Sequence, residues 1–198
     1  VAAMSLLENW ADSAQRVGAG AAVDADEERP MFSLTEVDYK PTQLTDMVVC
    51  SNALVMGLKN GHIIRLHLDQ QEDLEDIPIA TDPVYKLFLD PTGHHLVVTT
   101  EAGDSFYIHF AMKKPRALTK AKGIVITSIA WDQDNRDPMS SMDVLIGSRD
   151  HRLIFETRFE PEGRERELQP VYRLTEDMGP VTGLHVCRVP RPSAAGQQ

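Results

Sequence analysis

Residues 84–110 read VYKLFLDPTGHHLVVTTEAGDSFYIHF, and the alternation of short apolar runs with tight-turn signals in this stretch decides the fold. Val84–Leu89, Leu96–Thr100 and Ser105–Phe110 have strand length and strand composition. Asp90-Pro91-Thr92-Gly93 separates the first two; proline sets φ for a type I turn and glycine completes it. Glu101-Ala102-Gly103-Asp104 turns the chain into the third. The same arrangement recurs on both sides. Upstream, Leu44–Val49, Ala53–Leu58 and Ile63–Leu68 are joined by Ser51-Asn52 and Lys59-Asn60-Gly61. Asn-Gly is the strongest short hairpin signal, because both residues accept positive φ. Downstream, Ile126–Trp131, Val144–Ser148 and Arg152–Phe159 repeat the pattern, and Val181–Val186 opens a fourth unit. The openings at 44, 84, 126 and 181 are 40, 42 and 55 residues apart. Recurrence near 40–45 residues with several strands per unit marks a β-propeller blade.

The expected fold is therefore all-β: an incomplete β-propeller of about three and a half WD40-like four-stranded blades out of about seven. Such a set of blades cannot close a ring. Outer fourth strands, weaker and more polar, are expected at Asp76–Ala80, Arg116–Thr119 and Val171–Leu174. Asp132–Met142 reads as a mobile polar loop in place of a tight turn. Residues 31–198 form the N-terminal part of the propeller domain, and Arg188–Gln198 reads as a surface insertion in the fourth repeat. Met31–Tyr39 alternates apolar Phe32, Leu34, Val37 and Tyr39 with polar residues; in propellers such a strand completes the last blade and hides its edge. Residues 1–30 form a tail. Ser5-Leu6-Leu7-Glu8 fits a capping box, Leu6, Leu7, Trp10, Ala14 and Val17 share one helical face, and Gly18 ends the pattern. This tail is either mobile or a short amphipathic helix that docks on a partner, followed by an acidic linker to Pro30.

Thirty Asp and Glu against 20 Lys and Arg give a net charge of −10, which argues against nucleic acid as a partner. No apolar run reaches the roughly 20 residues of a membrane span, and Val1–Val17 lacks the pattern of a secretory signal. Cys50 and Cys187 lie in apolar strand patterns and read as buried, reduced thiols of a cytosolic chain. Seven histidines are scattered without metal-ligand spacing; His67 and His109 share a structural position in successive repeats. Gly103-Asp104-Ser105 sits at a tight turn rather than at a nucleophile elbow. The inner strands present Met47, Val49, Leu87, Leu89, Ile129 and Trp131, which fill a core, where a propeller hydrolase would need carboxylates. No catalytic residue, cofactor or metal is expected, and the chain reads as a non-enzyme. Asp69, Glu72, Asp73, Glu75 and Asp76 read as a solvated loop. Lys113, Lys114, Arg116, Lys120 and Lys122 fall within ten residues that contain no acid. They are the candidate interaction surface, for an acidic partner or anionic headgroups; the alternative is a solvated edge strand protected by lysine. The turns Lys59–His62, Glu101–Asp104 and Arg149–Arg152 would present a second surface.

Phe32 through Pro41, Thr45–Asn52 (TDMVVCSN), Ile64-Arg65-Leu66-x-Leu68 and Lys86–Leu96 (KLFLDPTGHHL) resemble the N-terminal propeller of the vacuolar protein sorting-associated protein 18 family, the deep-orange type of class C subunit. The resemblance continues more loosely through Leu145-Ile146-Gly147, Ile154-Phe155-Glu156 and Pro170-Val171-Tyr172-x-Leu174. It implies a core subunit of the HOPS and CORVET complexes, which tether endosomal and lysosomal or vacuolar membranes before fusion and serve vacuolar protein sorting. It also implies other class C, HOPS and CORVET subunits as partners, possible contact with SNARE-associated proteins, and a cytoplasmic location, peripheral on late endosomes and vacuoles or lysosomes. The family's α-solenoid and RING domain are not in this stretch, whose two cysteines could not build a RING. Alternatives are a WD40-like adaptor in another pathway and a propeller hydrolase.

Overall fold

The computed structural model describes residues 37, 39–50, 52–112, 114–149 and 152–187, without the side chains of Gln71 and Glu72. The expected helix in the first 30 residues, most of the strand at 31–39 and the insertion at 188–198 lie outside these residues. Among the described residues, twelve strands form three four-stranded antiparallel sheets, each a simple meander. The first contains β1 (Leu44–Cys50), β2 (Ala53–Leu58), β3 (His62–His67) and β4 (Gln70–Pro78). The second contains β5 (Val84–Leu89), β6 (His95–Thr100), β7 (Ser105–His109) and β8 (Arg116–Ala117). The third contains β9 (Ile126–Ala130), β10 (Asp143–Ser148), β11 (Leu153–Arg158) and β12 (Gln169–Arg173). The all-β, partial-propeller expectation holds.

Side chains alternate across a strand, so the two faces of each sheet can be followed residue by residue. In β6, Leu96 and Val98 join Val55, Ile63, Val84, Leu87, Ile108 and Phe110 in an apolar layer between the first and second sheets. Val97, on the opposite face, joins Tyr107, Ile126, Ile129, Val144, Ile146 and Phe155 between the second and third. A third cluster, Leu54, Met56, Leu58, Ile64 and Leu66, covers the far face of the first sheet, with Val37, Tyr39 and Leu68 packed against it. Strands β2 and β6 are consequently buried along their whole length.

Small residues set how closely the sheets approach. A Cβ at Gly57 in β2 would lie 2.5 Å from Val84 Cγ1, and one at Gly147 in β10 would lie 2.4 Å from Val181 Cγ1. Val84 and Val181, which open the second and fourth units, thus insert where the preceding sheet has no side chain. The register places buried Thr99 at the corresponding position of β6, and buried Ile126 opens the third unit. Polar contacts reinforce the junctions. Asp46 Oδ2 accepts the Leu87 amide at 2.8 Å and Asp46 Oδ1 lies 3.8 Å from Lys86 Nζ. Thr127 Oγ1 donates to the Val181 carbonyl.

Five expectations need correction. The acidic run is not a loop: residues 70–78 pair with β3, opposing Leu74 to Leu66 and Ile77 to Ile63. Its acids are tolerated because an outermost strand faces water, and Glu75 and Asp76 pair with Arg65 at 3.5 Å and His62 at 2.7 Å. The eleven-residue loop is pinned by its own polar groups. Buried Asn135 donates to the Asp137 and Ser140 carbonyls and accepts the Asp137 amide, while Ser141 Oγ accepts the Phe159 amide. The thiols are not both buried; Cys50 is half-buried and donates to the Pro91 carbonyl, and Cys187 is exposed. Val181–Val186 forms no strand here, although Val181 docks as Val84 does. Of the inner-strand residues, Leu87, Ile129 and Trp131 are buried and Leu89 is partly so, but Met47 and Val49 are 53% and 58% exposed. Register pairs those two with Met56 and Leu54, on the face turned away from the second sheet.

Gly57→Val overfills the junction and should lower stability by about 1–3 kcal/mol. Gly183→Ala, where nothing lies within 4 Å of the added carbon, should change it by less than about 0.5 kcal/mol. Urea unfolding followed through the propeller's own transition checks both.

Candidate interaction surface

The basic run lies along the outer margin of the second sheet, on β8 and the 3₁₀ turn Thr119–Ala121. Lys113 falls outside the described residues. Lys114, Lys120 and Lys122 are exposed, and Arg116 is half-buried. The Arg116 guanidinium carbon sits 4.9 Å from the centroid of the Tyr107 ring, a cation–π arrangement. Its Nη1 and Nη2 donate to the carbonyls of Gly163 and Glu160, at 3.2 and 3.1 Å. One acidic segment supplies these partners and more. The Glu165 carboxylate accepts the amides of Thr119 and Lys120, each at 2.9 Å, and the Thr119 hydroxyl at 2.7 Å. Glu167 pairs with Lys120 and raises its pKa. The connection between β11 and β12 therefore clasps the edge of the neighbouring sheet. Arg116 and Lys120 are engaged in holding that connection, which leaves Lys114 and Lys122 as the exposed, described cations of the run that take no part in it.

The turns proposed as a second surface are tight. Gly61 has φ of +81°, and a Cβ there would lie 2.1 Å from the Ala80 carbonyl oxygen. Gly103, at φ of +87°, closes the next turn. In the third, Asp150 and His151 lie outside the described residues, and Arg152 takes a left-handed φ of 50°. Ser105, after Gly103-Asp104, is buried with its Oγ 3.4 Å from Thr99 Oγ1, as a turn residue rather than an exposed nucleophile.

Sequence reasoning treated the histidines singly, and the structure brings three of them together. The register opposes His95 to His109, with ring centroids 5.0 Å apart, and the His94 ring stacks 6.1 Å from His109. His95 Nδ1 lies 2.8 Å from the Tyr107 hydroxyl, and His109 Nε2 donates to the Pro138 carbonyl at 2.8 Å. Asp90, also buried, accepts the amides of Thr92, His94 and His95 and the Thr92 hydroxyl. Burial pulls the His95 pKa down to about 4, against the attraction of Asp90; His109 and His94 lower it further. His94 is lowered too, chiefly by burial, and burial raises Tyr107. The signal in the sequence was the two-strand spacing that sets positions 95 and 109 opposite. An open cavity of about 480 Å³ beside this cluster is lined by Thr92, His94, Gln133, Asn135, Arg136 and Pro138. Among the described residues no group of three or more His, Cys, Asp or Glu side chains is arranged to hold a metal, and no helix is long and apolar enough to cross a membrane.

The family described as the Pep3/Vps18/deep orange β-propeller domain matches residues 30–197. Curated relatives include the vacuolar sorting protein 18 of Arabidopsis thaliana, 26% identical across 76% of this chain. The vacuolar protein sorting-associated protein 18 homolog of Danio rerio is 30% identical across 68%. The vacuolar membrane protein pep3 of Schizosaccharomyces pombe is 32% identical across 76%. The chain spans 16%, 14% and 18% of the length of these three relatives, respectively. Among solved structures, the computationally designed Ika4 protein superimposes with a TM-score of 0.52 at 16% identity, covering 79% of this chain and 88% of that one. This is a likeness of fold alone.

Glu165→Ala removes the acceptor of two amides and a hydroxyl. Bonds to a charged group contribute about 1.5–3 kcal/mol each at most, and less when exposed. The expected result is faster amide exchange at Thr119 and Lys120 with the exchange of β2 and β6 unchanged, read by hydrogen–deuterium exchange.

Proposed function

The chain belongs to the Pep3/Vps18/deep orange β-propeller family, and on that premise we propose that it is the propeller portion of a vacuolar protein sorting subunit, acting as a non-enzymatic interaction scaffold. The finer reading is a core subunit of HOPS and CORVET, tethering endosomal and lysosomal or vacuolar membranes before fusion. Its partners would be the other subunits of those complexes, and through them SNARE-associated proteins. Its place would be cytoplasmic, peripheral on late endosomes and vacuoles or lysosomes; the names of the relatives support the vacuolar association alone. In this reading residues 31–198 are the first part of the propeller domain and residues 1–30 its leading tail.

The family match over 30–197 is the observation that carries the proposal. The geometry supports it in physical terms. Stacked sheets hold tight turns and outer strands in fixed positions, and rigid surfaces bind with less loss of conformational freedom than mobile ones. A partner using a standard interface would bury on the order of 1,600 Å² in total, an area that requires several turns or an outer edge together. The basic margin is one such edge. We assign Lys113, Lys114 and Lys122 the role of meeting acidic partner surfaces, with Arg116 and Lys120 maintaining the margin's shape through the 160–167 connection.

Charge reversal tests this reading. Lys113→Glu/Lys114→Glu/Lys122→Glu in the intact protein should weaken co-purification of sister subunits at least several-fold at near-physiological salt, with unfolding unchanged. Full recovery of the complex would remove the basic margin from the proposal, and failure of the unaltered protein to co-purify sister subunits at all would remove the scaffold role.

A further inference from the structure

The seam between the second and third sheets changes character along its length. Over most of it the packing is apolar and aromatic, with Tyr107 stacked 5.3 Å from Phe159 and Phe159 against Trp131 at 5.9 Å. At the end nearest the 132–142 connection the same seam is lined by His95 and His109, both essentially inaccessible to solvent. Each ring has one nitrogen satisfied, by the Tyr107 hydroxyl and by the Pro138 carbonyl. The other nitrogens, His95 Nε2 and His109 Nδ1, are buried with no hydrogen-bond partner. A carbonyl can only accept, so His109 carries its proton on Nε2 and its Nδ1 is a bare acceptor. This arrangement suits two neutral rings. A third proton in the pair would place an unpaired N–H and a full charge in a buried site.

We propose that this histidine pair is an acid-sensitive latch between the second and third sheets: proton uptake by His95 puts a charge in the buried seam, draws water into it, opens it at that end and frees the 132–142 connection from β7. The surrounding charges point the same way. His94 stacks on His109 from the start of β6, Arg65 reaches the cluster from β3, and Arg116 lies over Tyr107 from β8. Asp90 is the opposing anion at the turn before β6, but its oxygens already accept four donors. Glu160, beyond β11, acts on Tyr107. In the connection itself Arg136 and Asp137 are exposed and bind local backbone groups. Strands β6 and β7 are tied to each other by a backbone ladder, whereas the connection meets the ring of His109 through the single His109–Pro138 bond. Once a charge on His95 draws water into the seam, that single contact gives way before the ladder does. The consequence reaches the surface, because Pro138 and His94 line the same open cavity.

The sign follows from linkage. A histidine held near pKa 4 in the closed seam and near 6.5 when released stabilises closure fully above pH 6.5, and that contribution is lost as pH falls toward 4. Hydrogen–deuterium exchange of the intact protein at pH 7.5 and 5.5, corrected for intrinsic rates, tests it. Protection of the amides of Asn135, Asp137 and Ser141 should fall about tenfold between the two pH values, with β2 and β3 changing less than about twofold. His95→Gln/His109→Gln keeps an acceptor for Tyr107 and a donor for Pro138 without a titrating ring, and its protection should be independent of pH over this range. Three results overturn the latch: equal protection of 132–142 at both pH values, an equal fall across β2 and β3, or the same fall in the variant. Should the variant fail to fold, the comparison of segments within the unaltered protein decides alone.

Discussion

The insertion of one branched side chain into the bare face of the preceding sheet is the contact from which the architecture follows. Val84 against Gly57 brings the opening strand of the second sheet, and Val181 against Gly147 the segment that follows the third, so close to the second strand of the preceding sheet that even a methyl group would not fit between them. A layer of aliphatic and aromatic side chains is buried between the first and second sheets and another between the second and third. Fully burying a side chain of this size contributes about 1.5–3 kcal/mol, so each junction is held by many such terms acting together. Because both faces of a second strand are enclosed, β2 and β6 carry no charged residue, and the polar and acidic residues are displaced to the outer strands and the turns. The same exclusion puts the surface chemistry where a binding scaffold can use it.

How far this could be read from residues alone depended on where each element sits in its sheet. The second and third strands of each unit are largely apolar because they lie inside the stack, and turns such as Asp90-Pro91-Thr92-Gly93 and Lys59-Asn60-Gly61 mark their ends. The outer strand obeys different rules. Residues 70–78 look like a solvated loop because four acids fall among them, yet their backbone pairs with β3; Leu74 and Ile77, three positions apart and so on opposite faces, give no alternation to read. The hydrogen bonding within 132–142 was hidden for another reason, since Asn135 makes contacts inside the loop that composition does not reveal. Met47 and Val49 read as core residues because apolarity says what a side chain avoids, not which neighbour covers it.

The candidate surface was legible as a charge pattern but not as a structure. Five basic residues in ten are plain in the sequence. Their acidic counterparts stand more than forty positions later, on a connection that reaches across from another sheet. Surface pairs contribute little individually; a carboxylate that caps two amides at the start of a 3₁₀ turn contributes more, because it satisfies donors that the turn leaves open. The histidine cluster shows a similar limit. Each ring is unremarkable where it stands in the chain, and only the hairpin register sets His95 across from His109 in a site that disfavours charge.

The account rests on face-to-face stacking of successive four-stranded sheets, and an experimentally determined structure of the intact protein measures it directly. It should show Val84 in van der Waals contact with the Gly57 backbone and Val181 in the same relation to Gly147, with the Leu96 and Val97 side chains on opposite faces of their sheet in separate apolar layers. Helices over residues 84–110, or one continuous flat sheet that leaves Val84 away from Gly57, would contradict it.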